Sequence, residues 1–263
     1  MMKKNFWVLM SLLLLVIVVL LSACSSGNKA ESTNSGQASS TSSGTSSTDS
    51  SDSQQVAIGE KNLKLGHVVS TESHYHIFSE KLKELIEQKS GGAMTLDIFP
   101  SGQLGGEVAM FQSVQDGTLD ILVLGQSAIT GTIKELGIFD LPYLFDSVDQ
   151  ANEILGSEIG KKYLELMSDY DVIGLGNLSA MERNVFSNKP IYGLDDFKGL
   201  KLRDSQVTSY IKTFEILGAQ PVPMPFNEVY LAIQQGVVDG ASSAPDNFID
   251  DKFVEVTHYY KLT

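Results

Sequence analysis

The chain has 263 residues and carries 19 basic against 32 acidic side chains, which gives a formal net charge of −13. Nucleic-acid binding requires a basic surface, so this balance argues against a nucleic-acid partner. The single cysteine, Cys24, lies near the N-terminus and leaves the rest of the chain without disulfides or thiolate metal sites.

The N-terminus has the layout of an export signal. Two lysines precede an uncharged apolar run over residues 6–21, and small residues follow it. The ending Leu21-Ser22-Ala23-Cys24 resembles the bacterial lipobox. We therefore predict a lipoprotein signal peptide over residues 1–24, with lipidation at Cys24. An uncleaved N-terminal anchor is the alternative, and either places the protein at the cell membrane on its extracytoplasmic face.

A polar segment separates this signal from the rest of the chain. Residues 25–55 are dominated by Ser, Gly, Thr and Asn, and they bury too little apolar surface to offset the entropy of ordering. We predict a disordered Ser-rich tether with a reach of roughly 30 Å. From residue 56 onward roughly 208 residues remain, which is enough for a sizeable core.

In the first half of this body, apolar periodicity alternates between strand-like and helix-like segments. The clearest helix carries Phe78, Leu82, Leu85 and Ile86 on one face and ends at Gly91-Gly92. The pattern predicts further helices at 107–115, 149–155 and 158–167, and strands at 63–69, 94–99, 119–124 and 171–175.

The same alternation restarts in the second half. It predicts a strand ending at 201–203, a helix closed by Gly218, a strand at 222–224, and a helix capped by Asn227 and ended by Gly236. Strands and helices of this length in alternation indicate an α/β fold with largely parallel sheets. Residues 114–120 and 233–239 also resemble each other, which favours two lobes, although ordinary helix-to-strand turns explain it equally well.

Catalytic patterns are poorly represented. We find no Gly-x-Ser-x-Gly elbow, no His-Glu-x-x-His and no phosphate-binding loop, so we predict neither an enzyme nor a cofactor. The glycine-rich run at 101–106 opens a helix and could receive an anion, or it could be a structural turn. His74 and His76 are two residues apart and do not share a helix face, so we predict no metal site.

Arginine is the informative residue, because the chain has only Arg183 and Arg203. A guanidinium offers a planar fork that holds a carboxylate with two parallel hydrogen bonds. Arg203 follows an alternating strand and is expected at its C-terminal end, where ligands bind in open α/β sheets. Arg183 is expected near the crossing between the lobes. A surface ion pair is the alternative for each.

Several blocks in a fixed order resemble the substrate-binding proteins of tripartite ATP-independent periplasmic (TRAP) transporters, in the dicarboxylate-binding, lipoprotein form. The resemblance covers the chain from about residue 63 to its end. The blocks are LGHVV (65–69), FPSGQLGGE (99–107), DLPYLF (140–145), LDDFKGLKLR (194–203), LGAQPVPM (217–224) and EVYLAIQQGVVDG (228–240).

The resemblance implies a two-lobed, periplasmic-binding-protein-like α/β fold that closes on an organic acid and delivers it to TRAP membrane permease subunits. It implies lobe I over 56–180, lobe II over 181–257 and a return segment to lobe I starting at 258–263. The ligand carboxylate is expected on Arg203, without an internal acid as partner. Arg183, Phe226 and Gln126 fall on assisting positions.

Two features depart from the family pattern. The cleft asparagine that usually follows Asp239-Gly240 is absent, and Ser243 or Asn247 could replace it. Family members usually continue for some tens of residues past Thr263, so the chain is expected to be truncated at its C-terminus. One other function remains open at this point, a ligand-sensing protein of the same fold that presents its solute to a signalling receptor. A surface hydrolase is disfavoured, because the sequence offers no nucleophile–base pair.

Overall fold

The computed structural model describes residues 59–179 and 181–263. Cys24, the predicted signal peptide and the predicted tether lie outside the described residues. No helix in the described part is both long and apolar enough to cross a lipid bilayer.

The first sheet has three parallel strands in the order β2-β1-β3. They are β1 (Lys61–Gly66), β2 (Met94–Phe99) and β3 (Ile121–Leu122). Leu65 of β1 lies opposite Ile98 on one side and Ile121 on the other, and it is fully buried. Alternation of the apolar residues along β1 thus places one face of the strand in the core.

Two helices connect these strands, as predicted. Helix α1 (His74–Lys89) begins at Ser73, whose side chain accepts a hydrogen bond from the His76 amide, and Gly91 and Gly92 follow it with positive φ angles. Such N-caps and glycine ends satisfy the unpaired backbone groups of a helix. Helix α2 (Glu107–Gln115) has the predicted bounds.

The other regular elements of the first half are helices. Short 3-10 helices at Gln126–Ile129, Lys134–Asp140 and Leu166–Tyr170 accompany α3 (Val148–Gly156) and α4 (Glu158–Glu165). The predicted strand at 171–175 is wrong. Val172 is buried, but Ile173 and Leu175 are 79% and 76% exposed, and no described strand pairs with this segment.

The second sheet has five strands in the order β6-β5-β7-β4-β8. Strand β5 is parallel to β6 and β7, whereas β4 is antiparallel to β7 and β8. The strands are β4 (Asn184–Ser187), β5 (Lys201–Asp204), β6 (Gln220–Pro223), β7 (Gly240–Ser243) and β8 (Tyr259–Lys261). The predicted α/β architecture with mostly parallel pairing is therefore confirmed.

Helices and short 3-10 turns complete this half. The helices are α5 (Thr208–Ile216), α6 (Val229–Gln234) and α7 (Pro245–Asp250), and the turns are Leu194–Phe197, Phe226–Glu228 and Phe253–Glu255. The predicted cap at Asn227 is wrong, because a 3-10 turn that starts after Pro225 incorporates this residue and makes Glu228 the N-cap.

The predicted resemblance between the two halves corresponds to shared local geometry. Gly117 and Gly236 follow α2 and α6 with φ angles of 71° and 70°. Asp120 then accepts a hydrogen bond from the Lys64 amide at 3.0 Å, and Asp239 accepts one from the Lys201 amide at 2.9 Å. Each aspartate, just before its own strand, thus ties the start of that strand to the neighbouring strand in the sheet.

Close packing around β7 fixes the middle of the second sheet. A Cβ added at Gly240 would lie 2.1 Å from the Phe186 carbonyl oxygen, so only glycine fits there. Phe186 stacks on Phe253 with ring centroids 4.9 Å apart, within a core that includes Val229 and Ile233. Strand β8 pairs with β4 of this sheet. The lobe boundaries at 180 and 257 stay predictions.

Candidate ligand-binding site

Arg203 lies in β5 near its C-terminal end, as predicted, and is only 2% exposed. Its Nε and Nη2 atoms both donate to the Met224 carbonyl oxygen, at 3.0 and 2.7 Å, and its guanidinium carbon lies 5.6 Å from the Phe226 ring centroid. Burial lowers the pKa of Arg203 to about 10, so the side chain is still a cation at neutral pH.

This cation has no acidic partner in contact among the residues that the structure describes. Arginine has five N–H donors, and Met224 occupies two of them. The donors that remain are on the two terminal nitrogens, which form the edge that receives a carboxylate with two parallel bonds. The geometry therefore leaves Arg203 both charged and able to bind an anion.

Arg183 is different, because an internal acid already neutralises it. Its Nη2 donates to Asp204 Oδ1 at 2.6 Å and to the carbonyl and hydroxyl oxygens of Ser242, both at 2.9 Å. Its guanidinium carbon lies 4.5 Å from the Tyr210 ring centroid. Burial opposes the charged form, but Asp204 and its other neighbours outweigh burial and raise the pKa of Arg183. Arg183 is thus part of a fixed ion pair.

Phe226 connects the arginine to the first half of the chain. Its ring meets Phe253 edge-on at 5.7 Å, and it also packs against the buried cluster that contains Val68 and Met110. Beside it, a Cβ added at Gly106 would lie 3.2 Å from Pro225, so the glycine-rich run approaches this wall closely. That close approach supports a structural turn for residues 101–106 rather than an anion site.

Two further polar residues of this region, Glu107 and Tyr75, were not predicted from the sequence. Glu107, at the start of α2, accepts a hydrogen bond from the Gly125 amide at 2.7 Å. Burial raises the pKa of Glu107, while the Gly125 amide, Arg203 and Arg183 act against that shift. Burial, and then the charge of Glu107, raises the pKa of Tyr75 above its ordinary value. An acid that directly follows a glycine-rich turn was the signal available in the sequence.

The other predicted site residues have internal partners. Gln126 donates from its side-chain amide to the Leu136 carbonyl oxygen at 2.8 Å. Asn247 in α7 donates to the Ser243 hydroxyl at 3.1 Å, so these two candidates for the missing asparagine contact each other. Ser243 is buried, and the side-chain oxygen Oδ1 of Asn247 is buried without a hydrogen-bond partner among the described residues. Their roles toward a ligand stay predictions.

The histidines do not converge. His76 contacts His67 through ring nitrogens 3.1 Å apart, whereas His74 Nδ1 lies 2.5 Å from Asp246 Oδ2. Burial and the neighbouring His76 lower the pKa of His67 to about 4, so His67 is neutral. Within residues 59–179 and 181–263, no group of three or more His, Cys, Asp or Glu side chains is placed to hold a metal ion.

A surface depression with a volume of about 390 Å³ lies elsewhere, against α3 and α4. Leu155, Lys161, Leu164 and Leu178 are among its lining residues. Its lysine is already paired with Glu158 at 2.6 Å, and it shares no lining residue with the Arg203 region. We therefore assign the candidate site to Arg203 on its charge and burial, not to this depression.

A half-buried carboxyl at the end of α7 contacts the loop after β1. Asp251 accepts a hydrogen bond from the Ser70 amide at 2.8 Å. Burial raises its pKa to about 7 from 3.8, the amide bond lowers it, and the nearby Asp250, Asp246 and Glu72 raise it further. Between about pH 4 and 7 the folded chain thus binds a proton that the unfolded chain does not, and stability falls as pH rises through this window.

We expect Asp251→Asn to stabilise the protein above pH 7 and to flatten the pH dependence of unfolding between about pH 4 and 7. The asparagine oxygen can still accept from Ser70, and the charge is gone. The gain is no more than about 4 kcal/mol. Denaturant unfolding at pH 5 and pH 8 measures it, with Asp169→Asn as the exposed control. Equal pH dependence in Asp251→Asn and the wild type would contradict this account.

The fold and the site together define a class of protein. The α/β fold holds a buried guanidinium, without an acidic partner in contact among the described residues, beside an aromatic ring that also packs against the first half of the chain. A buried cation of this kind suits a binding protein for small anions. The chain belongs to the DctP family, family 7 of the bacterial extracellular solute-binding proteins, whose model matches residues 65–263.

Individual relatives agree with this assignment. The chain is 30% identical over 212 residues to the 2,3-diketo-L-gulonate-binding periplasmic protein YiaO of Escherichia coli, covering 79% of this chain and 63% of that protein. It is 31% identical over 196 residues to the C4-dicarboxylate-binding periplasmic protein DctP of Rhodobacter capsulatus, covering 74% and 59%. The chain thus spans less than two thirds of the length of these relatives.

Solved structures show the same two-lobed fold. The sugar acid binding protein DctPAm of Advenella mimigardefordensis, in complex with galactonate, superposes with a TM-score of 0.75 at 31% identity, covering 77% of this chain and 66% of that one. A TRAP periplasmic solute-binding protein of Sulfurospirillum deleyianum with bound succinate gives a TM-score of 0.74 at 30% identity, with the same coverage.

Proposed function

We propose that this protein is an extracytoplasmic solute-binding protein that captures an organic acid through its carboxylate and delivers it to TRAP-type membrane permease subunits. The observation that carries the proposal is Arg203, a buried cation without an acidic partner among the described residues. A buried charge is costly unless it is paired, so such a site gains most from an incoming anion.

The surroundings of Arg203 favour that use. Met224 holds the guanidinium in one orientation, and Phe226 provides an apolar wall next to it. Exclusion of water strengthens a charge-assisted pair, because the local dielectric constant falls. Arg183 then acts on the ligand mainly by fixing the wall through Asp204 and Ser242, rather than as a second free cation.

The same proposal includes the location of the protein. Lipidation of Cys24 and a Ser-rich tether over residues 25–55 would hold the binding body near the membrane that contains the permease. The family description, bacterial extracellular solute-binding protein, supports an extracytoplasmic location.

A panel of acids tests the proposal. We expect the full chain to be stabilised by at least one of galactonate, erythronate, succinate and orotate, because a ligand at about 100 times its Kd adds about 2.7 kcal/mol to stability. Differential scanning fluorimetry followed by calorimetric titration measures this. The neutral lactone or amide of the best ligand is the control. Failure of every acid to bind, or equal binding of the neutral control, would contradict the proposal.

A further inference from the structure

A buried acid of the first half of the chain receives a hydrogen bond from the second half. Asp140 ends the 3-10 helix Lys134–Asp140 and is only 3% exposed, and the Tyr210 hydroxyl donates to its Oδ1 at 2.8 Å. Tyr210 belongs to α5, which packs against this 3-10 helix as well as against β5 and β6. A buried carboxylate is costly without a partner, and Asp140 finds this one 70 residues away along the chain.

Both groups are in the protonation state that favours this hydrogen bond. Burial raises the pKa of Asp140 to about 6, while the Tyr210 hydroxyl, Arg183 and Thr130 act against that shift and Asp204 adds to it. Burial also raises the pKa of Tyr210 above its ordinary value. At pH 7.5 a protonated hydroxyl therefore donates to an ionised carboxylate. Hydrogen bonds to charged groups contribute more to stability than neutral ones do.

Tyr210 also connects this contact to the candidate site. Its ring faces the Arg183 guanidinium carbon at 4.5 Å, and Arg183 pairs with Asp204, the residue that follows Arg203 in β5. Asp204 and Asp140 thus act on Arg183 from the two halves of the chain. If the halves moved apart, Asp140 would leave both Tyr210 and Arg183. The pair of Arg183 and Asp204 would stay intact, because both residues belong to the second half.

We propose that Asp140 and Tyr210 form a latch between the two lobes, which holds the cleft closed and sets the rate at which the ligand leaves. The inference rests on the proposed function, since it assumes that an acid bound at Arg203 is enclosed when the lobes close. In binding proteins that close by a hinge, contacts made only in the closed state slow dissociation. Asp140 and Tyr210 act on the ligand through closure, so both are positioning residues.

The dissociation kinetics of Tyr210→Phe test the latch, because this variant loses the hydroxyl and keeps the ring on Arg183. The probe is the tightest-binding acid among galactonate, erythronate, succinate and orotate, on the immobilised full chain in surface plasmon resonance at pH 7.5. We expect dissociation to be at least about tenfold faster than in the wild type, with association changed by less than about twofold.

The outcomes separate the latch from the proposed function. An unchanged dissociation rate in Tyr210→Phe, or an affinity loss confined to association, would overturn the latch and leave acid binding intact. Failure of every acid to bind the wild type would overturn the proposed function and the latch together.

Two further variants separate a latch from a general effect of losing a tyrosine hydroxyl. Tyr230 donates to Glu255 Oε2 at 3.0 Å within the second half, so Tyr230→Phe should release the acid within about twofold of the wild-type rate. In a double-mutant cycle with Asp140→Asn, the two substitutions should accelerate release by less than the product of their separate effects, because both weaken the same contact. Equal acceleration in Tyr230→Phe, or independent effects in the cycle with wild-type circular dichroism spectra, would refute the latch.

Discussion

Arg203→Ala is expected to lower the affinity for the best acid ligand by about 2–5 kcal/mol, which corresponds to roughly thirty- to several-thousand-fold. The loss has a specific origin, because Arg203 is buried, charged and free of an acidic partner among the described residues. Arg183 cannot replace it, since Arg183 is committed to Asp204.

Arg203→Lys sharpens this experiment. Lysine keeps the charge but loses the planar fork, so we expect an affinity between those of the wild type and of the alanine variant. Calorimetric titration measures all three proteins, and the free alanine variant should keep its circular dichroism spectrum. Wild-type affinity in a folded Arg203→Ala protein would show that the carboxylate binds elsewhere.

Asp204→Ala is expected to destabilise the protein by about 3–5 kcal/mol, the usual cost of removing one partner of a buried ion pair. Asp204 is 3% exposed at its side chain, and it accepts hydrogen bonds from Arg183, from the Ser242 hydroxyl at 2.6 Å and from the Ser205 amide at 2.8 Å. Its removal leaves the Arg183 cation without an acidic partner in contact among the described residues, and it removes the acceptor of the Ser242 hydroxyl and the Ser205 amide.

A surface pair provides the control for that variant. Asp195 and Lys198 are also 2.6 Å apart, but their side chains are 90% and 70% exposed. Exposed pairs of this kind contribute little, so Asp195→Ala should unfold at nearly the wild-type denaturant concentration. Similar stability losses in Asp204→Ala and Asp195→Ala would contradict the distinction between a structural Arg183 and a ligand-binding Arg203.

The local features of the fold were predictable from the sequence, whereas its long-range pairing was not. Helix α2 and strand β2 have the predicted bounds, because apolar periodicity and glycine ends act within a few residues. Residues 171–175 contain β-branched apolar residues typical of a strand but lack a described neighbour to pair with. A strand forms only where a partner strand is present, and periodicity does not report the partner.

In the candidate site too, the two arginines were predictable from the sequence, whereas their long-range contacts were not. Arginine scarcity and strand position pointed to Arg203 and Arg183 from composition and pattern alone. Their difference depends on Asp204, which is 21 residues from Arg183 along the chain and reaches it only in the folded sheet. Glu107 and Tyr75 converge on Gly125 from separate elements, so their proximity also required the structure.

A crystal structure of the protein with its tightest acid ligand tests the central claim most directly. We predict the ligand carboxylate within about 2.7–3.2 Å of the terminal nitrogens of Arg203, beside the Phe226 ring, with Arg183 still bonded to Asp204. A carboxylate bound away from Arg203, with the guanidinium contacting only Met224, would contradict it.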